Sequence, residues 1–285
     1  MTYGLAFFLF ANPHKPDTVS TSAVLAQLLL DRGARVLVDT WLHGRIAIGE
    51  PCDIKDLPQE TTAVLSLGGD GTLLRTVAHA AVRGIPVLGI HMGRVGFLLE
   101  VNLNDIAQAV DRLVRGDYHL EERMMLACQV NDGDEMLVMN DVALTRGQSP
   151  SSIEVKAYAD GEEICVSRGD GLLVATPTGT TGYALSAGGP VVYPLMSCLV
   201  LVSICSHILT QRPIVMPEDK TVVLTTSANR DQPCQIIMDG QVVINKSGDV
   251  RVVIRKAAQK ARFIRFAEQK FLTRLREKQA EWNVT

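Results

Sequence analysis

The sequence predicts an α/β N-terminal domain on a mostly parallel sheet, followed by a β-rich C-terminal domain. Three observations carry this. Strand-like and helix-like runs alternate through the first part of the chain. Short β-rich runs dominate after about residue 120. The turn signals Asp132-Gly133 and Asp160-Gly161 sit between pairs of those later runs, as hairpins require.

The elements follow in order. Leu5–Phe10 is apolar and reads as a first strand. Val19–Asp31 has helical spacing and ends at Gly33, a residue suited to the left-handed position past a helix end. Arg35–Asp39 and Ala63–Leu67 read as strands, and Leu73–Arg83 as a helix closed by Gly84. Ile85–Ile90 is an apolar strand and Asn104–Arg115 a helix stopped by Gly116. Strands alternating with helices imply a parallel sheet covered on both faces. Then come Met124–Val130, Glu135–Met139, Ile153–Ala159, Glu162–Ser167, Val222–Thr226, Gln235–Met238 and Val250–Ile254, all strand-like. The tail from Glu268 to Trp282 reads as an amphipathic, Lys/Arg-rich helix. The expected division is an α/β domain over 1–119, a β-rich domain over 120–262, and a C-terminal helical segment over 263–285 that packs back on the first domain.

Composition narrows the function. With 285 residues, 47% of them hydrophobic, the chain can bury one large core or two moderate ones. Lys and Arg total 28 against 31 Asp and Glu, so nothing suggests a global polyanion-binding surface and nucleic acid is not an expected partner. Any phosphate must be held by local geometry. The 6 cysteines form no C-x-x-C pair and no zinc spacing; they read as small buried hydrophobes in a reducing compartment. The apolar run near Leu195 to Cys205 is too short to span a bilayer, and Leu5–Phe10 lacks the basic flank of a signal peptide. A cytoplasmic protein without membrane partners is expected.

Three stretches carry chemistry. In Gly68-Gly69-Asp70-Gly71-Thr72 a buried strand turns into a helix, at the strand edge where open α/β sheets bind ligands. Glycines let backbone approach a phosphate closely, and Thr72 is the expected N-cap of a helix whose first N–H groups favour anions. Asp70 does not suit a pure anion cradle. It makes sense as a holder of a cation or an acceptor of a proton. Arg75, farther along the helix, would balance phosphate charge. The plain alternative is a glycine turn capped by Asp70. Neither G-x-x-x-x-G-K-[ST] nor G-x-G-x-x-G occurs, so the P-loop and the dehydrogenase fingerprint are absent.

The second stretch runs from Gly169 to Pro190, where an apolar strand leads into a run dense in Gly, Thr and Ser. Such a loop offers hydroxyls and bare amides to a nucleotide, and Tyr183 adds a flat face with a hydroxyl. Thr178, Thr181 and Tyr183 are expected to shape a pocket; an ordinary surface loop is the alternative. The third is Asn140-Asp141, an amide beside an acid, able to grip a ribose diol or a base edge, though such pairs are more often turns. His207 and His79 read as structural or surface residues and Met124-Met125 as core.

Together these stretches resemble the NAD kinase family. Gly68-Gly69-Asp70-Gly71-Thr72 is similar to its GGDGT, Asn140-Asp141 to its Asn-Glu/Asp pair, and Thr176-Pro-Thr-Gly-Thr-Thr-Gly-Tyr-Ala-Leu-Ser-Ala-Gly-Gly-Pro190 to its signature loop. His91-Met92-Gly93-Arg94-Val95-Gly96-Phe97-Leu98 and Asp239-Gly240-Gln241 also have counterparts. GGDGT is shared with diacylglycerol and sphingosine kinases; the Gly169–Pro190 segment is far more specific. The chain departs from common family residues at His91, Ser203 and Ser206, at Gly182 where alanine is frequent, and at Asp141 where glutamate is frequent.

The resemblance implies a Rossmann-like first domain, a β-rich second domain and a substrate site between them. It implies transfer of the γ-phosphoryl of ATP, or of inorganic polyphosphate, to the 2′-hydroxyl of the adenosine ribose of NAD, with a divalent metal, Mg²⁺ by preference. Homodimers or homotetramers are usual in the family. Asp70 falls where the general base is assigned. Gly71, Arg75, Asn140, Asp141, Arg168, Asp170, the run Thr181, Gly182, Tyr183, Ala184, Leu185, Ser186, and Gln241 fall where NAD contacts are expected, and Gly68 and Gly69 line the phosphate side. A lipid kinase sharing GGDGT and a non-catalytic nucleotide-binding protein are the alternatives. The first predicts an apolar entry groove, and the second needs no acid at position 70.

Overall fold

The computed structural model describes residues 4–15, 17–93, 96–228, 233–267 and 271–282. Arg94 and Val95, and the start of the expected tail helix at Glu268, lie outside the described residues. The chain divides into two compact units, residues 1–122 with 261–285, and residues 123–260.

The first unit opens with β1 (Ala6–Ala11), α1 (Thr18–Leu30), β2 (Arg35–Asp39), α2 (Thr40–Ile46), β3 (Glu50–Cys52) and β4 (Ala63–Gly68). It continues with α3 (Asp70–Val82), β5 (Val87–His91) and α4 (Ile106–Arg115). Its sheet runs β5-β4-β1-β2-β3 with every pair parallel. Every residue of β1, β4 and β5 is buried, as expected of strands covered on both faces. Leu25, Leu29, Val110 and Leu113 of α1 and α4 close over Phe7, Leu9, Leu65 and Leu88. The short pair α2 and β3 was not anticipated. Three residues containing Pro51 carry no readable strand pattern, and an edge strand tolerates the missing N–H.

In the rest of the chain come β6 (His119–Val130), β7 (Glu135–Val138), β8 (Asp141–Thr145), β9 (Ile153–Ala159), β10 (Glu162–Gly169) and β11 (Gly171–Ala175). A 3-10 turn over Thr178–Thr181 and the single turn α5 (Tyr183–Ser186) follow. Then come β12 (Cys198–Ile204), β13 (Ile214–Pro217), β14 (Val222–Ala228), β15 (Cys234–Met238), β16 (Val242–Lys246), β17 (Gly248–Arg265) and α6 (Phe271–Trp282). One antiparallel sheet of the second unit is ordered β13-β12-β11-β8-β15-β16. Against it lies the antiparallel set β10-β9-β14-β17, with Leu144, Leu172, Leu201 and Ile236 facing Val155, Leu224 and Val252 in one core. Both expected hairpins form. The β9–β10 turn holds Asp160 at φ 49 and Gly161 at φ 88, the left-handed pair of a two-residue hairpin turn.

Some expectations are corrected. Helix α3 begins at Asp70, so Gly69 is its N-cap and Thr72 its third residue, where the Thr72 hydroxyl reaches back to the Gly69 N–H at 3.5 Å. The glycines bend sharply enough to start the helix one turn early. The strand expected over Val250–Ile254 is the middle of the 18-residue β17, whose last residues return to the first unit. Its charged stretch Lys256–Lys260 hid the continuation. Strands β13 and β16 were also not anticipated. Of the cysteines, all free, Cys128, Cys198 and Cys234 are buried, but Cys205 is exposed at the end of β12 with φ 47. Among the described residues no helix is long and apolar enough to cross a membrane.

Candidate active site

In the first unit the site lies at the carboxyl ends of the adjacent strands β1, β4 and β5. Gly68 ends β4, and a Cβ there would fall 2.3 Å from Thr72 Oγ1, so packing alone demands glycine. Gly69 and Gly71 are different. Neither has positive φ, a Cβ on Gly71 would meet nothing, and one on Gly69 would meet only the Lys15 ammonium at 3.8 Å. A glycine inside a helix turn costs about 1 kcal/mol relative to alanine. Packing at the Cβ position demands glycine at Gly68 but not at Gly69 or Gly71.

Two loops converge on this turn, one after β1 and one after β5. After β1, Asn12 donates its backbone N–H to Leu67 O (3.0 Å) and its amide to Thr72 Oγ1 (3.2 Å). Lys15, from the same loop, donates to Met92 O at 3.1 Å, and its ammonium lies 3.8 Å from where a Cβ of Gly69 or Gly93 would stand. Sequence reading missed Lys15. A lysine in a polar loop carries no signal until the sheet order places β1 beside β4. Asp70 is half-buried, and its two carboxylate oxygens accept the N–H groups of Phe97 (2.8 Å) and Leu98 (3.1 Å). A Cβ on Gly96 would come 2.1 Å from Asp70 Oδ1, so this loop closes on the carboxylate only because residue 96 is glycine. Each carboxylate oxygen keeps lone pairs for a further donor. Arg75 is not brought to Asp70. Its guanidinium lies 5.3 Å over the Phe10 ring and feels Asp39, since five residues of helix turn it about 140° away.

In the second unit the signature loop closes on the Asn140-Asp141 corner between β7 and β8. Thr176 Oγ1 donates to Met139 O (2.8 Å), and the Thr176 N–H donates to Asn140 O (2.8 Å). Gly179 must be glycine, because a Cβ would sit 2.1 Å from Asn140 O. A Cβ on Gly182 would lie 3.7 Å from Asn140 Nδ2 and 3.9 Å from Asp141 Oδ2, so the loop faces the amide-acid pair directly. Thr178, itself buried, accepts from buried Arg123 at 3.3 Å, and Thr181 Oγ1 donates to Thr178 O at 3.1 Å. Ala184 is buried, Leu185 half-buried, and Tyr183 and Ser186 exposed. The Asn140 side-chain oxygen is buried without a hydrogen-bond partner, an acceptor that a bound ligand would satisfy.

Opposite the loop stands a residue whose role was not read from sequence. Asp239, at φ 52, accepts the N–H groups of Met139 (2.9 Å), Asn140 (2.6 Å) and Asp141 (3.4 Å). Its own N–H returns to Asp141 O at 3.0 Å. The corner is thus held by Asp239 on one side and Thr176 on the other. Burial first, then the charge of Asp239, pushes the Asp141 carboxyl up to about 7. Burial raises Asp239 too, opposed by the three N–H groups it accepts. Tyr183 is raised by burial first and then by the charges of Cys205, Asp170 and Asp141. Asp170 is paired with Arg146 at 2.6 Å, which holds it below the usual carboxylate range. Arg168 points elsewhere, onto Glu154 across the β9–β10 ladder at 3.0 Å. Gln241 is exposed in the turn after β15. A cleft of about 880 Å³ in this unit, lined by Arg146, Lys156, Tyr158, Thr225 and Arg251, contains none of the signature loop and is not the candidate site.

The raised Asp141 value has a consequence for stability. Its folded value of about 7 lies above the unfolded aspartate value of about 3.9, so the native state holds an extra proton between them. The stabilisation is full below the unfolded value and is lost as pH rises through about 7. Thermal stability is therefore expected to fall from about pH 4 to about pH 7, and Asp141→Asn to flatten that fall. An unaltered slope in the variant would show that another group is responsible.

A glycine turn flanked by a lysine at a parallel-sheet edge, and a hydroxyl-rich loop facing a buried amide-acid pair, are features of a nucleotide-binding α/β protein. Comparison with known proteins gives the particular family. The model of the ATP-NAD kinase N-terminal domain matches residues 7–118, and that of the ATP-NAD kinase C-terminal domain residues 139–266. The NAD kinase of Geotalea daltonii is 36% identical over 276 residues, covering 95% of this chain and 96% of that protein. That of Heliobacterium modesticaldum is 37% identical over 271 residues, covering 94% and 95%. An Archaeoglobus fulgidus NAD kinase solved with ATP superposes with a TM-score of 0.74 at 25% identity, over 97% of this chain and 98% of the other. Yeast NADH kinase solved with NADH shares the fold, with a TM-score of 0.83 at 22% identity over 95% and 86%. The chain belongs to the ATP-NAD kinase family.

Proposed function

We propose that this chain transfers the γ-phosphoryl of ATP to the 2′-hydroxyl of the adenosine ribose of NAD, giving NADP. The observation that carries the reading is the Asp70 turn: a carboxylate fixed by two backbone N–H groups, beside a lysine ammonium and glycines with open space at the Cβ position. The α/β domain, taken as residues 1–119, supplies this turn. The β-rich domain, taken as 120–262, supplies the nucleotide grip, and the segment 263–285 supports the first.

Asp70 accepts the proton of the 2′-hydroxyl as that oxygen bonds to the γ-phosphorus. The bond from the γ-phosphorus to the bridging oxygen breaks and ADP leaves. Alignment carries most of the acceleration, as befits a loose phosphoryl-transfer transition state. Asn140, through its buried acceptor, and Asp141 hold the adenosine end. Thr178, Thr181 and Tyr183 shape the pocket, with Gly182 to Ser186 as its wall and Asp170 and Gln241 at its margin. Arg168 and Arg75 act at longer range, given where their side chains lie.

Gly68, Gly69 and Gly71 admit the phosphates, and the Lys15 ammonium neutralises them. Among the described residues no cluster of three His, Cys, Asp or Glu exists. Mg²⁺ would therefore be held mainly by the nucleotide phosphates, at the glycine turn of residues 68–71. Bound there, the metal would supply charge neutralisation for the phosphates. ATP is the donor we favour over polyphosphate, in a cytoplasmic homodimer or homotetramer.

The test is incubation of the purified chain with ATP, Mg²⁺ and NAD, with NADP detected by an NADP-specific dehydrogenase. Absence of NADP, or phosphorylation of diacylglycerol instead, would overturn the reading. Lys15→Met is expected to raise KM for ATP about tenfold, the loss of one charge-assisted contact, with KM for NAD little changed. An unaltered KM for ATP would remove Lys15 from the phosphate site.

A further inference from the structure

The position of the Asp70 carboxylate is set by backbone rather than by its own rotamer. The N–H groups of Phe97 and Leu98 bind its two oxygens, and Gly96 lies too close for any side chain. Residues 96–98 belong to no helix or strand, so their own geometry does not hold them. Their carbonyl side is held from the C-terminal end of the chain. Arg274, on α6, donates to Leu99 O at 2.7 Å and to Phe97 O at 3.3 Å. Arg265, at the end of β17, donates to Leu98 O at 2.9 Å and pairs with Glu121 at 3.1 Å and Glu100 at 3.4 Å. The Phe271 ring packs 6.1 Å from that of Phe97. The peptide group between Phe97 and Leu98 thus gives its N–H to Asp70 and its C=O to Arg274, and the next two carbonyls face Arg265 and Arg274.

The two arginines differ in what their loss would leave. Arg265 is 1% exposed between two acids, so removing it strands buried charge and unsettles the unit. Arg274 is 20% exposed, and its nearest carboxylate, Glu100, is 4.0 Å away and already paired with Arg265. Its short contact is with a carbonyl. We propose that Arg274 is a positioning residue for Asp70, holding the loop at 97–99 so that the carboxylate meets the acceptor hydroxyl. This rests on the reading of Asp70 as proton acceptor.

The experiment compares steady-state kinetics of the full chain with Arg274→Met, Arg274→Lys and Asp70→Asn. Misplacement of a reacting group by about 1 Å can cost 10²-fold, so Arg274→Met is expected to lower kcat at least about tenfold, with KM for NAD and ATP within about twofold. Arg274→Lys keeps ammonium donors for the same carbonyls and is expected to restore kcat to within about threefold of the parent. A kcat within about twofold of the parent in Arg274→Met overturns the proposal, as does a loss of kcat that lysine does not restore or that comes with an equal rise in both KM values. If Arg274→Met does not accumulate as folded protein, Arg274→Gln, which retains one amide donor, carries the same kcat-against-KM comparison. Normal turnover in Asp70→Asn sinks the base reading itself. An inactive Asp70→Asn beside a normal Arg274→Met sinks only the positioning role.

Discussion

Exchange of Asp70 for asparagine is expected to reduce turnover by about 10²- to 10⁴-fold while NAD still binds, the usual contribution of a positioned general base. The structure adds a refinement. The carboxylate accepts two backbone N–H groups, so an amide in its place satisfies one and presents its own NH₂ to the other. A modest local loss of stability, about 1–3 kcal/mol, should accompany the catalytic loss. The size of the kinetic effect separates the two causes, since a merely loosened loop misplaces the carboxylate but leaves the proton acceptor in the protein. Equilibrium NAD binding and kcat measured on the same preparation make the check. Turnover near that of the parent would exclude the proton-accepting role.

The second large effect is expected at Asp239. Asp239→Ala removes the acceptor for the N–H groups of Met139, Asn140 and Asp141. Hydrogen bonds to a charged group contribute about 1.5–3 kcal/mol each. Against this, the substitution relieves the repulsion from Asp239 that, after burial, helps raise Asp141. The lost N–H acceptor wins, by about 3 kcal/mol or more. At roughly 2–4 °C per kcal/mol, the thermal midpoint is expected to fall by about 10 °C, with a large rise in KM for NAD as the corner loosens. A midpoint within about 2 °C of the parent would mean that Thr176 alone holds the corner.

Much of the fold is legible in local pattern. The apolar runs of β1, β4 and β5 are continuous because both sheet faces are covered, and α4 ends where Gly116 stands at φ 71. Elements without a local pattern were lost: β3 with its proline, β13 and β16, and the charged second half of β17. Their strand state comes from partners distant in sequence, as in the β12–β13 ladder. The start of α3 was placed late because Thr72 is a favoured cap type, whereas the bare turn at Gly69 allows the helix to begin at Asp70.

The site divides the same way. Glycine spacing, the Asn-Asp pair and the hydroxyl-rich run announce a nucleotide-handling protein from the sequence alone, because close backbone approach and a choice of polar side chains are properties of residue type. Which groups stand beside them is a property of topology. Lys15 reaches the glycine turn because β1 pairs with β4. Asp239 clamps Asn140 and Asp141 because β15 pairs with β8, and Arg274 backs the Asp70 loop from the far end of the chain. Arg75 moved out of the group for an equally geometric reason, the angle of a helix. Residue chemistry determined what the site handles; long-range strand pairing and packing decided which side chains hold it in place, since hydrogen bonds across 98 to 177 residues leave no trace in local order.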